Sequence, residues 1–118
     1  MLTIKHNKGS LIEVTIIDTL KAEDFRELGE KADKLIKEHG SIRVLINASG
    51  FNGWENTEAA EKHFGFVKEH NQKVERLAVV AGHMWQYWLA ALARIFLQPK
   101  IRVFDKDQIE EARAWLKE

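Results

Sequence analysis

The chain has 118 residues, with 18 Lys plus Arg balanced by 18 Asp plus Glu, and it contains no cysteine. This length fits one domain spanning 1–118, with a core that needs neither disulfides nor metal to hold it. Balanced charge gives no basic field for nucleic acid and no long-range steering to an anionic membrane, and the missing cysteines exclude disulfides, thiolate nucleophiles and Cys-ligated zinc.

Met1 to His6 lacks a basic segment followed by a continuous apolar stretch, so it does not read as a signal peptide. No run of about 18 apolar residues is present, so a cytoplasmic protein is expected. Leu2 to His6 alternates apolar and polar residues, the period of a half-buried strand. Asn7-Lys8-Gly9 is turn chemistry, and the β-branched stretch Leu11 to Asp18 predicts a second strand closing a hairpin with the first. Ala22 to His39 places Phe25, Leu28, Ala32, Leu35 and Ile36 on one helical face, and Gly40 stops the helix. The carboxylates Asp18, Glu23 and Asp24 fall at this strand-to-helix junction, where they suit the helix dipole.

Ile42 to Ala48 predicts an apolar strand, and Asn56 to Gln72 a helix with Ala60, Phe64 and Val67 on one stripe. Between them lies Ser49-Gly50-Phe51-Asn52-Gly53-Trp54, expected as a loop at the C-terminal end of a parallel strand, where open α/β sheets bind ligands. Its glycines permit a close backbone approach to a ligand, or they serve a plain turn. Neither a GxGxxG run nor a P-loop is present to favour a nucleotide. Gly65 interrupts the helix beside Phe64 and Phe66, and close packing is the expected reason. His63 and His70 share a face seven residues apart, too far for one compact metal site, and read as a solvated face.

Val74 to Ala81 predicts another apolar strand, His83 to Phe96 a third helix, and Lys100 to Phe104 a last strand, with Pro99 just past the helix end. Asp105 and Gln108 suggest a capping box for a final helix. The order is ββαβαβαβα, and strands alternating with helices imply a mixed, mostly parallel sheet flanked by helices. The third helix is apolar almost all round, with His83, Gln86 and Arg94 as its clearly polar positions. Burial on both faces, a dimer contact, a pocket lid and an interfacial membrane helix each account for that pattern.

The stretch from Val44 to Thr57, through Asn47, Ser49 and Gly50, resembles the strand–loop–helix signature of STAS domains, the family of the anti-sigma-factor antagonists. Arg76 to Gly82, Trp85 to Leu89 and Phe104 through Leu116 are more similar to the small bacterial SpoIIAA-like proteins within that superfamily. The resemblance spans essentially the whole chain and implies a non-enzymatic binding or regulatory module without a cofactor. STAS regulation uses a phosphorylated serine at the start of the second helix; that position is Asn56 here, with Thr57 adjacent, and the aspartate usual near the strand end is Asn47. The SpoIIAA-like group implies, by likeness to CRAL-TRIO domains, an apolar ligand such as a lipid and peripheral contact with the inner membrane face.

The resulting expectation is an apolar cleft lined by Trp54, Phe64, Val67, Trp85, Trp88 and Leu89, between the second and third helices. Trp85 and Trp88 lie three apart and share a helix face. The rival expectation is a protein-docking surface around Asn56 and Thr57, of the anti-sigma-antagonist kind. A homodimer is expected because the aromatic-rich third helix leaves apolar surface to cover. No Ser/His/Asp ordering or carboxylate pair with motif support points to an enzyme.

Overall fold

The computed structural model describes residues 2–5, 9–70, 73–80 and 100–118. Five strands, β1 (Leu2–Lys5), β2 (Leu11–Leu20), β3 (Ile42–Trp54), β4 (Val74–Val80) and β5 (Lys100–Phe104), form one sheet in that spatial order. β1 runs antiparallel to β2, and every other neighbouring pair is parallel. Among the described residues, three helices accompany it: α1 (Ala22–His39), α2 (Thr57–His70) and α3 (Ile109–Lys117). The helix expected over His83 to Phe96 lies outside the described residues.

Strand alternation sorts the core into two layers. Ile12, Val14 and Ile16 of β2, Ile42 and Val44 of β3, and Leu77 and Val79 of β4 face α1, whose Phe25, Leu28, Ala32 and Leu35 close that layer. Leu45, Ala78, Val80 and Phe104 point to the opposite face, where Ala112 and Leu116 of α3 cover them. The central strands are therefore apolar on both faces, as parallel strands between helix layers must be.

α1 begins where Asp24 folds back, its carboxylate accepting from the Lys21 N–H at 2.9 Å. It ends at Gly40, whose φ of 84° is open to glycine and strained for other residues. α3 is held from its C-terminal end. Arg43 of β3 donates to the Leu116 carbonyl at 2.6 Å, and Arg76 of β4 donates to the Trp115 carbonyl at 2.8 Å. Two guanidinium groups thus donate to carbonyls of the last helical turn, where the Trp115 carbonyl also accepts from the Glu118 N–H at 3.3 Å. Arg113 adds a forked contact to Glu13 of β2, 2.6 Å at its shorter arm, under a carboxylate only 15% exposed.

Three sequence expectations are corrected. The stretch Ser49–Trp54 is not a free loop: β3 continues to Trp54 and stays paired with β2 through Gly50, Phe51 and Trp54. Two register shifts and Asp18, at φ 62°, absorb the mismatch between the extended strands. A Cβ at Gly50 would stand 3.3 Å from the Ile16 carbonyl oxygen, tighter than most such contacts, so the glycine serves a close approach to β2. The capping box places the last helix too early. The Gln108 side chain does accept from the Asp105 N–H at 3.0 Å, but residues 105–108 form a turn and α3 starts at Ile109. Gly65 is not explained by close packing among the described residues, because a Cβ there would meet none of their atoms within 4 Å.

Candidate functional site

α1 and α2 cover the same face of the sheet and meet along a seam of paired residues. Phe25, Gly29 and Asp33 recur at one-turn spacing on α1, and His63, Phe66 and His70 recur at three- and four-residue spacing on α2. Phe25 stacks on His63 with ring centroids 5.0 Å apart. A Cβ on Gly29 would lie 3.7 Å from the Phe66 ring, in ordinary van der Waals contact, so the two helices approach closely at this rung. Asp33 Oδ1 lies 2.7 Å from His70 Nε2.

The two histidines are buried in different ways. His63 Nδ1 accepts from the Trp54 indole at 3.0 Å, which puts the ring proton on Nε2. Burial pushes its pKa down from 6.5 to about 4, so the ring is neutral near pH 7. His70 is 6% exposed, and its Nδ1 lies 2.8 Å from the Phe66 carbonyl oxygen. These positions correct the expectation of a solvated histidine face. The period of α2 shows which residues share a side, whereas the polar ring atoms are satisfied by partners on β3 and α1 that the period cannot reveal.

Beneath the seam, between the helices and the sheet, lies a cavity of about 80 Å³. Val14, Ile16 and Val44 form its floor, and Leu28, Ala32 and Phe66 its roof. His63 and His70 border it and are the titratable groups in its lining. Among the described residues no buried side-chain nitrogen or oxygen is left without a partner, and no group of three His, Asp or Glu residues could hold a metal ion.

The expected site residues fall in several places. Trp54 is half-buried at the end of β3, edge-on to Phe51 at 5.5 Å, bonded to His63 and packed at the margin of the α1-side core. Phe64 and Val67 belong to α2, but their side chains are outside the described set, as are Trp85, Trp88 and Leu89 altogether. Asn56 and Thr57 are exposed at the start of α2. The Asn56 side chain caps the helix by accepting from the Ala59 N–H at 2.9 Å. Asn47, which stands where the STAS aspartate is usual, accepts from both the N–H and the hydroxyl of Ser49, at 3.2 and 2.7 Å.

The SpoIIAA-like family model matches residues 11–117, nearly the full chain. The chain belongs to the SpoIIAA-like family. Among solved structures, this SpoIIAA-like chain is similar to an uncharacterized DUF3478-family protein with a SpoIIAA-like fold from Shewanella loihica PV-4. The TM-score is 0.77 at 19% identity, covering 98% of this chain and 93% of that one. It is also similar to the anti-sigma factor antagonist SpoIIAA in its unphosphorylated form, with a TM-score of 0.60 at 10% identity, covering 96% and 98% of the two chains. No curated protein matches it. At these identities the structural likeness establishes the fold: a mixed, mostly parallel sheet flanked by helices. Among the described residues, no helix is long and apolar enough to cross a membrane.

Proposed function

We propose that this SpoIIAA-like chain is a non-enzymatic binding module that takes a hydrophobic small molecule, such as a lipid fragment, between its α1–α2 layer and its sheet. The observation that supports this reading is the cavity of about 80 Å³, walled by aliphatic and aromatic side chains. A dry void carries a cost that scales with its volume, so one of this size costs about 2 kcal/mol. An apolar occupant would recover that energy. The site differs from the tryptophan cleft expected from sequence, since Trp54 stands beside it rather than in its lining.

Its size sets a condition on binding. An engineered cavity that admits benzene holds about 150 Å³, and the present void is about 80 Å³. A lipid-like occupant therefore requires α1 and α2 to move apart along their seam. The non-enzymatic part of the reading is supported by how the buried polar groups are used. His63 is engaged with Trp54, His70 with Asp33 and Phe66, and Glu13 with Arg113. Native mass spectrometry of freshly purified protein tests the proposal: an apolar adduct above the 13.7 kDa chain is expected. A bare chain that also takes up no added fatty acid would contradict it.

The exposed start of α2 supports a second reading, a protein-docking module of the anti-sigma-antagonist kind that works without a phosphoserine. Asn56 occupies the cap position with its side chain bonded to the helix, so docking there would depend on shape rather than on an added phosphate.

A further inference from the structure

On the solvent side of the seam, α1 and α2 leave an open groove of about 900 Å³, far roomier than the cavity of about 80 Å³ beneath. Phe25 and Gly29 of α1 and Gly65 and Phe66 of α2 line it with apolar surface. The free fold gives Gly65 no use. It is exposed, an added methyl group meets nothing within 4 Å among the described residues, and a glycine inside a helix is less favourable than alanine. What its missing side chain provides is headroom in the groove beside Phe66. The rims carry charge of one sign. Glu23, Glu30 and Asp33 stand exposed along α1, and Glu58, Glu61 and Glu69 along α2, against Arg26 and Lys62. Arg26 lies 3.7 Å from Glu30 and Asp33 is bonded to His70, so Lys62 is the cation left in the lining for the other four carboxylates. The whole chain balances 18 cationic against 18 anionic side chains, so the groove is a local segregation of charge. Helix dipoles account for Glu23 and Glu58 in the first turns. They do not account for Asp33 in mid-helix, nor for Glu69 in the last turn of α2, where a carboxylate opposes the dipole.

We propose that this groove docks a lysine- or arginine-rich amphipathic helix of a partner protein, its apolar stripe on the Phe25–Phe66 floor and its cations against the two acidic rims. Charge complementarity selects this occupant, because acidic rims repel nucleic acid and anionic lipid headgroups. The apolar stripes of α1 and α3 are turned to this chain's own sheet, so neither helix of a second copy supplies the partner surface. Length fits as well: from Ala22 to Asp33 the groove follows α1 for about 16 Å at 1.5 Å per residue, three turns of an incoming helix. Gly65 then has a purpose, since a side chain there would stand where the partner's apolar stripe lies. The docking is independent of whether the cavity beneath takes a ligand.

Fluorescence anisotropy with a labelled amphipathic peptide of leucine and lysine, roughly three helical turns long, tests the docking. The full chain is titrated as wild type, as Glu61→Lys with Glu69→Lys, as Gly65→Leu and as Glu38→Lys, an exposed charge change on α1 outside the groove. The wild type is expected to bind with saturation, and more weakly as salt is raised. The double reversal should weaken binding about tenfold at low salt, the scale of losing two rim attractions. Gly65→Leu should weaken it by a similar factor with no change of charge, while its melting temperature stays at or above that of the wild type. Glu38→Lys should leave the affinity close to the wild-type value. A peptide of serine and lysine with the same charge should bind much more weakly than the leucine peptide. No binding by the wild type overturns the proposal, as does an affinity that Gly65→Leu leaves unchanged. A loss in Glu38→Lys equal to that of the double reversal, or equal binding of the serine peptide, would reduce the groove to non-specific attraction and overturns it too. The rim reversal and the two peptides carry the test even if Gly65→Leu does not fold.

Discussion

The indole N–H of Trp54 donates to Nδ1 of His63 across 3.0 Å, tying the end of β3 to the outer helix layer. Because His63 is pushed down to about 4 by burial, while an unfolded histidine titrates near 6.5, the unfolded chain binds the proton first. The contribution of a neutral His63 is thus complete above pH 6.5 and is lost as the pH falls through the interval down to 4, with a limiting slope of about 1.4 kcal/mol per pH unit. His63→Gln keeps an acceptor for Trp54 and cannot charge. Its urea-unfolding free energy should be flatter than that of the wild type between those two pH values. Identical pH profiles would contradict the assignment.

The cap of α2 gives a second prediction. Asn56→Ala removes the acceptor for the Ala59 N–H and should cost about 1 kcal/mol, whereas Asn56→Ser should cost little. Chemical denaturation of the two variants checks this. Phosphoproteomics of the native host is expected to find no stoichiometric phosphate on Thr57; finding it would revive a phosphorylation switch at this helix start.

Gly65 lies exposed on α2, where an added methyl group meets nothing within 4 Å among the described residues. Gly65→Ala should therefore stabilise the fold by about 0.5–1 kcal/mol through backbone entropy. A lower melting temperature would mean that the glycine is needed for close contact after all.

The Glu13–Arg113 pair fastens α3 to β2. Arg113→Met leaves a mostly buried carboxylate without its partner and should cost about 2–4 kcal/mol, less than a fully buried pair because Arg113 is 36% exposed. Glu13→Leu together with Arg113→Met should recover most of that loss. A double-mutant cycle in urea measures the coupling, and additive losses would contradict it.

The sequence makes α1 legible almost residue for residue, since Phe25, Leu28, Ala32 and Leu35 mark its buried face and Gly40 its end. The SpoIIAA-like fold is legible for the same kind of reason: apolar strands alternate with amphipathic helices. The extension of β3 is hidden because Gly50 and Gly53 are loop residues by composition, and here they serve a close strand approach and a φ of 109°. The seam is hidden because a histidine has no hydropathic signature of burial. Its one visible trace is the matched spacing of Phe25, Gly29 and Asp33 against His63, Phe66 and His70. The tryptophans of the stretch from 83 to 96 lie outside the described residues, so the cleft built on them stays an expectation.

The most direct test of the binding reading is a titration of a fluorescent fatty-acid probe against the wild type and Ala32→Leu. Ala32 is 2% exposed and lines the cavity roof, so a leucine there fills the void from a good helix former. The wild type is expected to bind the probe with saturation. Ala32→Leu is expected to keep its circular dichroism spectrum and melting transition while losing the binding. A folded Ala32→Leu variant that binds the probe as well as the wild type, or a wild type that binds none, would contradict a ligand site between the helices and the sheet.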